Sequence, residues 1–307
     1  MDRAEAQRRL RGSIVPLVTP FTPEDEIDAA ALRRLVDWQL RSGTHGISVT
    51  GTTGEPSALS LEERERMVAL AVEAVNGRAP VVAGTGTNNL KETLRLTRRA
   101  QELGADAALV IVPYYNRPSQ RGLYEYFRAV CESVDLPVII YNIPGRTAVN
   151  LEVETLARLY EDCPNVVGVK EANTNLQQVS DEIAACPGIL VYSGIEALCF
   201  PMLALGGAGH VSATANVMPR EVAELYDLCA AGRWEEARAL HYRLLPLNEA
   251  LFLETNPGPV KTALGWMGLI HPALRPPLVP PAEGNRAKLR RVMQDLGLLA
   301  AAPGEAV

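Results

Sequence analysis

The chain has 307 residues, 47% of them apolar and 21% charged, which supports a sizeable core. That is long for an ordinary domain, but α/β barrels reach this length as one unit. A formal net charge of −6 without any basic block excludes nucleic acid or an anionic membrane surface as the main partner.

Cys131, Cys163, Cys186, Cys199 and Cys229 are scattered, odd in number and without a CxxC, which makes a poor disulfide framework. His45, His210, His241 and His271 show no metal-ligand spacing. Met1 to Arg11 is charged and lacks the apolar region of a signal peptide. The expectation is a soluble, cytoplasmic chain without a structural metal.

In chain order, short β-branched runs recur between longer helical patterns: Ile14–Val18, Gly46–Thr50, Pro80–Ala83, Ala107–Val112, Pro137–Tyr141, Val166–Lys170, Ile189–Tyr192 and Ala208–Ala213. The segments between carry amphipathic spacing, as in Leu32-Leu35-Val36-Leu40 and Leu94-Ala100-Leu103. Ser60-Leu61-Glu62-Glu63 reads as a capping box and Asn89 with Glu92 imitates one, while Gly43, Gly77 and Gly104 stand where helices should end. The most apolar stretch, Gly188 to Ala213, is broken by Glu196, Pro201 and the Gly206-Gly207-Ala208-Gly209 turn. It reads as strand, helix, strand rather than as a membrane span.

Eight strand–helix units imply a (β/α)8 TIM barrel, with a doubly wound open sheet as the other reading. Gly84-Thr85-Gly86-Thr87-Asn88-Asn89 lacks the third glycine of a dinucleotide fingerprint. After Ala213 only helices are predicted, near Pro219–Ala231, Trp234–Glu254, Val260–Leu269 and Gly284–Leu299. The expected organisation is an N-terminal extension over 1–11, a barrel over 12–231 and a C-terminal helical extension over 232–307.

In a barrel, chemistry gathers at the carboxyl ends of the strands. The sixth run, Val166-Val167-Gly168-Val169, ends on Lys170, one of only four lysines, with Lys91, Lys261 and Lys288. Burial there disfavours an ammonium, and an unprotonated amine is a nucleophile for carbonyl carbon. Lys170 alone is equally readable as a strand-end residue that snorkels to solvent. After the second strand, Gly51-Thr52-Thr53-Gly54-Glu55 offers hydroxyls and free N–H groups for a small carboxylate, or else is a plain glycine turn. After the fourth comes Pro113-Tyr114-Tyr115-Asn116-Arg117-Pro118, and at the fifth Tyr141-Asn142-Ile143-Pro144-Gly145-Arg146-Thr147. Each tyrosine alone reads as packing, and Arg146 alone as a surface charge. Together at one rim they form the set that Schiff-base chemistry on a keto acid requires: an amine, a proton shuttle and anion clamps.

These motifs, with Gly168-Val169-Lys170-Glu171-Ala172, Ala83-Gly84-Thr85-Gly86 and Asn256-Pro257-Gly258-Pro259-Val260-Lys261, resemble the dihydrodipicolinate synthase and N-acetylneuraminate lyase superfamily of class I aldolases, from about Gly12 to Leu269. The resemblance implies that Lys170 forms an imine with pyruvate and that Tyr141 shuttles protons at the imine carbon. It implies that Thr52 links Tyr141 to a Tyr115 reaching in from a neighbouring subunit, and that Thr53 holds the pyruvate carboxylate. Arg146 is implied to bind the carboxylate of the second substrate, and Gly194 and Val211 to line the pocket through their backbones. No cofactor beyond the covalent imine is implied, and the implied assembly is a homotetramer built as a dimer of dimers.

Arg146 matches the synthase branch, whose second substrate is L-aspartate-4-semialdehyde, on the way to diaminopimelate and lysine. The alternative is an aldolase or dehydratase acting on a 2-keto-3-deoxy sugar acid or related 2-oxo acid. A third reading, a non-catalytic barrel kept for binding, sits poorly with Lys170, Tyr141, Thr52 and Tyr115 all present. Two departures from the synthase pattern stand out. Ile195 replaces the first of two acidic residues after the seventh strand, with Glu196 at the second. Pro56, Leu61 and Arg64 replace the serine and two histidines of lysine-sensitive members, which predicts weak or absent inhibition by lysine.

Overall fold

A computed structural model describes residues 1–300, so the end of the expected extension, 301–307, lies outside the described part. Eight strands follow one another around a closed barrel: β1 (Gly12–Pro16), β2 (Gly46–Val49), β3 (Val81–Gly84), β4 (Ala107–Ile111), β5 (Val138–Asn142), β6 (Val166–Glu171), β7 (Leu190–Ser193) and β8 (Gly209–His210). Every neighbouring pair is parallel, and β8 closes onto β1 through Gly12↔Gly209 and Ser13↔His210. The expected TIM barrel is therefore the observed one, and the open sheet is not.

Both faces of each strand are buried, which explains the nearly continuous apolar runs. Ile14, Val82, Leu109, Ile139, Tyr141 and Leu190 fill the barrel interior. Val15, Ile47, Val81, Val110, Val138 and Ile140 face outward, against the helices. The N-terminal helix Arg3–Arg9 lies beneath the barrel: Ala6 and Leu10 join the interior cluster, and the Tyr192 hydroxyl donates to the Leu10 carbonyl.

Local chemistry sets the helix ends. The Ser60 hydroxyl accepts from Glu63 N–H at 3.1 Å, and the Glu63 carboxylate accepts from Ser60 N–H at 2.9 Å, as a capping box requires. Asn89 accepts from the N–H groups of Lys91 and Glu92 without a return bond. Gly43, Gly77 and Gly104 stand at helix ends with positive φ, as expected.

Several boundaries differ from expectation by a few residues: β1 is Gly12–Pro16 rather than Ile14–Val18, and the last helix ends at Asp295 rather than Leu299. The eighth strand is only Gly209–His210, because the chain turns into a 3-10 helix at Ala213–Asn216. The Ala213 N–H is taken by the Glu196 carboxylate at 2.7 Å instead of a strand partner. The helix beginning at Trp234 stops at Ala250 rather than Glu254. The helices Trp234–Ala250, Gly258–Trp266 and Glu283–Asp295 share the core of the outer shell through Leu244, Leu247, Val260, Leu264, Leu289 and Met293. Among the described residues no helix is long and apolar enough to cross a membrane.

Candidate active site

A bulge decides which way Lys170 points. In the β5–β6 pairing, Val138 faces Val166, but Ile139 faces Gly168, so β6 carries an extra residue at this point. Val166 and Val138 both point outward. Strict alternation from Val166 would also put Lys170 outside. The inserted residue reverses the parity, so Lys170 faces inward beside Tyr141 while Glu171 and Asn142 face outward. Gly168 makes the bulge possible, since a Cβ there would lie 2.5 Å from the Leu190 carbonyl oxygen.

Lys170 is 5% exposed, and its Nζ sits 4.0 Å from the centroid of the Tyr141 ring. Gly194 leaves room for its stem: a Cβ at that position would be 2.9 Å from Lys170 Cε. Glu196, buried just beyond, has its carboxyl pushed up by burial, with the Ala213 N–H and the Lys170 charge among the groups pulling it back.

The rim loops converge on a cavity of about 270 Å³ lined by Thr52, Tyr114, Tyr141 and Arg146 among others. This is at the small end of ligand pockets. Several rim residues other than glycine hold left-handed backbone: Thr50 (φ 56°), Glu55 (φ 55°) and Tyr115 (φ 76°). Such conformations persist only where the surroundings over-determine them. Around Glu55 those surroundings are explicit. Lys261 Nζ lies 2.5 Å from Glu55 Oε1, both side chains are fully buried, and Lys261 also donates to the Ala273 carbonyl at 2.8 Å. Burial pulls the Lys261 ammonium down to about 8, against the upward pull of Glu55. Arg275 donates its backbone N–H to Glu55 at 3.2 Å and grips Glu63 with two N–H bonds of 2.8 Å each. Thus the helix Gly258–Trp266 and the loop after it hold the Gly51–Glu55 loop from behind.

Thr53 is buried, and its hydroxyl oxygen accepts from Asn256 Nδ2 at 3.0 Å. Its hydroxyl hydrogen has no acceptor among the described residues.

The sequence pattern of the dihydrodipicolinate synthetase family matches residues 9–296. The chain belongs to that family. A 4-hydroxy-tetrahydrodipicolinate synthase of Pelobacter propionicus is 49% identical over 290 residues, covering 94% of this chain and 99% of that protein. The dihydrodipicolinate synthase of Aquifex aeolicus superposes with a TM-score of 0.93 at 45% identity, covering 95% of this chain and 100% of the other. The chloride-inhibited dihydrodipicolinate synthase from Acinetobacter baumannii, solved in complex with pyruvate, gives a TM-score of 0.92 at 42% identity, covering 94% and 99% of the two chains.

As a member of this family, the chain brings Lys170, Tyr141, Thr52, Thr53, Arg146 and Gly194 to one end of its barrel. Arg146 is exposed at the mouth, on the short helix Pro144–Thr147, in a second cleft with Gly194, Ile195, Glu196 and Phe252. Val211 packs in the interior cluster that contains Tyr141, and its N–H is donated to the Ser193 carbonyl at 2.8 Å. Tyr115 is not brought in: it is 91% exposed and turned away from its own chain. Arg64 is buried and donates to the Gly84 carbonyl at 2.9 Å, so the position expected to be histidine in lysine-sensitive relatives carries a guanidinium locked onto β3.

Three contributors escaped the reading of strand ends. Asn256 reaches Thr53 from 203 positions away, and Arg275 reaches Glu63 from 212. Glu171 sits beside Lys170 in sequence but points the other way. For Asn256 the one available pointer was the family-like Asn256-Pro257-Gly258-Pro259 segment; nothing marked Arg275.

Proposed function

We propose that this protein condenses pyruvate with L-aspartate-4-semialdehyde, through an imine on Lys170, to give 4-hydroxy-tetrahydrodipicolinate. The observation that carries the reading is the buried Lys170 amine 4.0 Å from the Tyr141 ring, the same tyrosine that lines the rim cavity together with Arg146. The amine adds to the keto carbon of pyruvate, and loss of water leaves the imine. Thr53, with its hydroxyl hydrogen free, anchors the pyruvate carboxylate. The Tyr141 hydroxyl carries the protons that carbinolamine formation and dehydration require. Loss of a methyl proton gives the enamine, whose carbon attacks the aldehyde. The amino group of the second substrate then displaces Lys170 as the ring closes. The covalent imine takes the place of a cofactor.

Arg146 supplies specificity for a carboxylated aldehyde. Removing it in R146A is expected to cost roughly 1.5–3 kcal/mol, on the order of 10- to 100-fold in kcat/KM for the semialdehyde. Imine formation with pyruvate alone should be unchanged. Steady-state kinetics beside borohydride trapping separates the two effects. If R146A uses the semialdehyde as well as the wild type does, the second substrate is something else. Ile195 in the Arg146 cleft keeps the sugar-acid reading in contention, and offering pyruvate with a panel of aldehydes decides between the two.

The exposed phenol of Tyr115, on left-handed backbone, supports completion of the Thr52–Tyr141 relay by a second copy of the chain, within a dimer of dimers. A biosynthetic reaction on free metabolites fits the cytoplasm. Lysine is expected to inhibit weakly or not at all, because Pro56, Leu61 and the engaged Arg64 occupy the positions concerned. Half-inhibition at sub-millimolar lysine would contradict this.

A further inference from the structure

Behind the reacting pair lies a buried polar cluster that the aldol chemistry does not use. Tyr141 pairs with Lys170 across β5 and β6, and the next pair along, Asn142 and Glu171, faces away from the pocket. Both are fully buried. Asn142 Nδ2 donates to the two Glu171 carboxyl oxygens at 3.1 and 2.9 Å. A second carboxyl, Glu182 on the helix Leu176–Ala185, is also buried, and Gln178 Nε2 joins the two, donating to Glu171 Oε2 at 3.4 Å as well as to Glu182. Gln178 Nε2 donates to Glu182 Oε1 at 3.0 Å, while Glu182 Oε2 finds no N–H donor among the described residues.

Neither carboxyl has an ion-pair partner among the described residues, and two buried charges of one sign cannot both persist. Burial and the neighbouring Glu182 push Glu171 up to about 9, and burial also pushes Glu182 up. One proton between them removes the repulsion and gives Glu182 Oε2 its missing donor.

The cluster also reaches the loop that carries Arg146. Asn142 Oδ1 accepts from Leu151 N–H at 3.0 Å, and Gln178 donates to the Leu151 carbonyl at 3.0 Å. Asn150 Oδ1 accepts from Asn142 at 2.8 Å. Two strand ends, one rim loop and one helix therefore meet on the same few side chains.

We propose that the buried Glu171–Glu182 carboxyl pair, acting through Asn142, is the positioning device that holds Lys170 against Tyr141 and fixes the base of the Arg146 loop. The proposal rests on the imine reading above. Glu171 and Glu182 are positioning residues: they touch no substrate. They act by fixing the registry of β5 and β6 where a side chain facing inward follows directly from the one facing out.

The test compares E171A with E171Q in the full-length protein. Glutamine reproduces the neutral carboxyl, accepting from Asn142 and donating to Glu182. E171A is expected to lower kcat on the order of 10- to 100-fold, the cost of a reacting group displaced by about 1 Å, with KM for pyruvate changed little. Timed borohydride trapping should show the same slowing of imine formation, and E171Q should recover most of it. A folded E171A with wild-type kcat overturns the proposal, as does an E171Q as slow as E171A. If E171A does not fold, E182L decides, since it removes the partner without touching β6. A lower kcat at unchanged KM supports the device, and wild-type kcat overturns it. The two readings fail separately. A wild-type chain that traps no pyruvate sinks the imine chemistry, whereas equal trapping rates in wild type and E171A sink only the positioning role.

Discussion

In K170A, pyruvate and borohydride are expected to leave no covalent adduct, and turnover should fall by at least about 10³-fold, because the nucleophile itself is gone. K170R should behave alike, since a guanidinium stays protonated and cannot form the imine. The chain has only three other lysine side chains, so the adduct in the wild type can be mapped by peptide mass. Lys261 is the informative control. It is buried like Lys170, but its amine is bound to Glu55 and the Ala273 carbonyl. An adduct on Lys261, or one that survives K170A, would refute the role given to Lys170.

A second large effect is expected from K261M. It leaves Glu55 buried without its cation, and breaking such a pair costs about 3–5 kcal/mol, which lowers Tm by roughly 5–8 °C in a chain of this size. Replacing both partners removes the stranded charge, so E55Q combined with K261M should regain much of that loss. The pair also holds the loop bearing Thr52 and Thr53, so K261M should raise KM for pyruvate while the protein remains folded below its new Tm. Thermal melts and pyruvate titrations of the single and double variants check both statements. If K261M melts with the wild type, the pair contributes no such support.

How far the sequence reaches depends on the range of each interaction. Strand runs, helix faces and the Ser60–Glu63 cap depend on neighbours a few positions apart, and they fall where the pattern put them. The eighth strand came out short because the donor at Ala213 is captured by Glu196, a competitor 17 positions away that no local pattern weighs. Thr52, Thr53, Tyr141, Arg146 and Lys170 were legible because a parallel barrel places every strand's carboxyl end at one rim. Tyr115 was legible as a residue but not as part of this chain's own pocket, from which it is turned away.

By itself, the order of apolar runs determined eight strands joined by crossover helices and which loops would share a rim, while closed barrel against open sheet was decided by the pairing of β8 with β1. Only the folded chain decided that Lys170 looks inward. Alternation in β6 runs the wrong way until the extra residue beside Gly168 resets it, and a bulge exists only against a particular partner strand. The same holds for the supports behind the site, Asn256 on Thr53, Lys261 on Glu55 and Glu182 against Glu171. Each satisfies a buried polar group with a side chain from a different part of the chain, and which groups become buried together is set by packing.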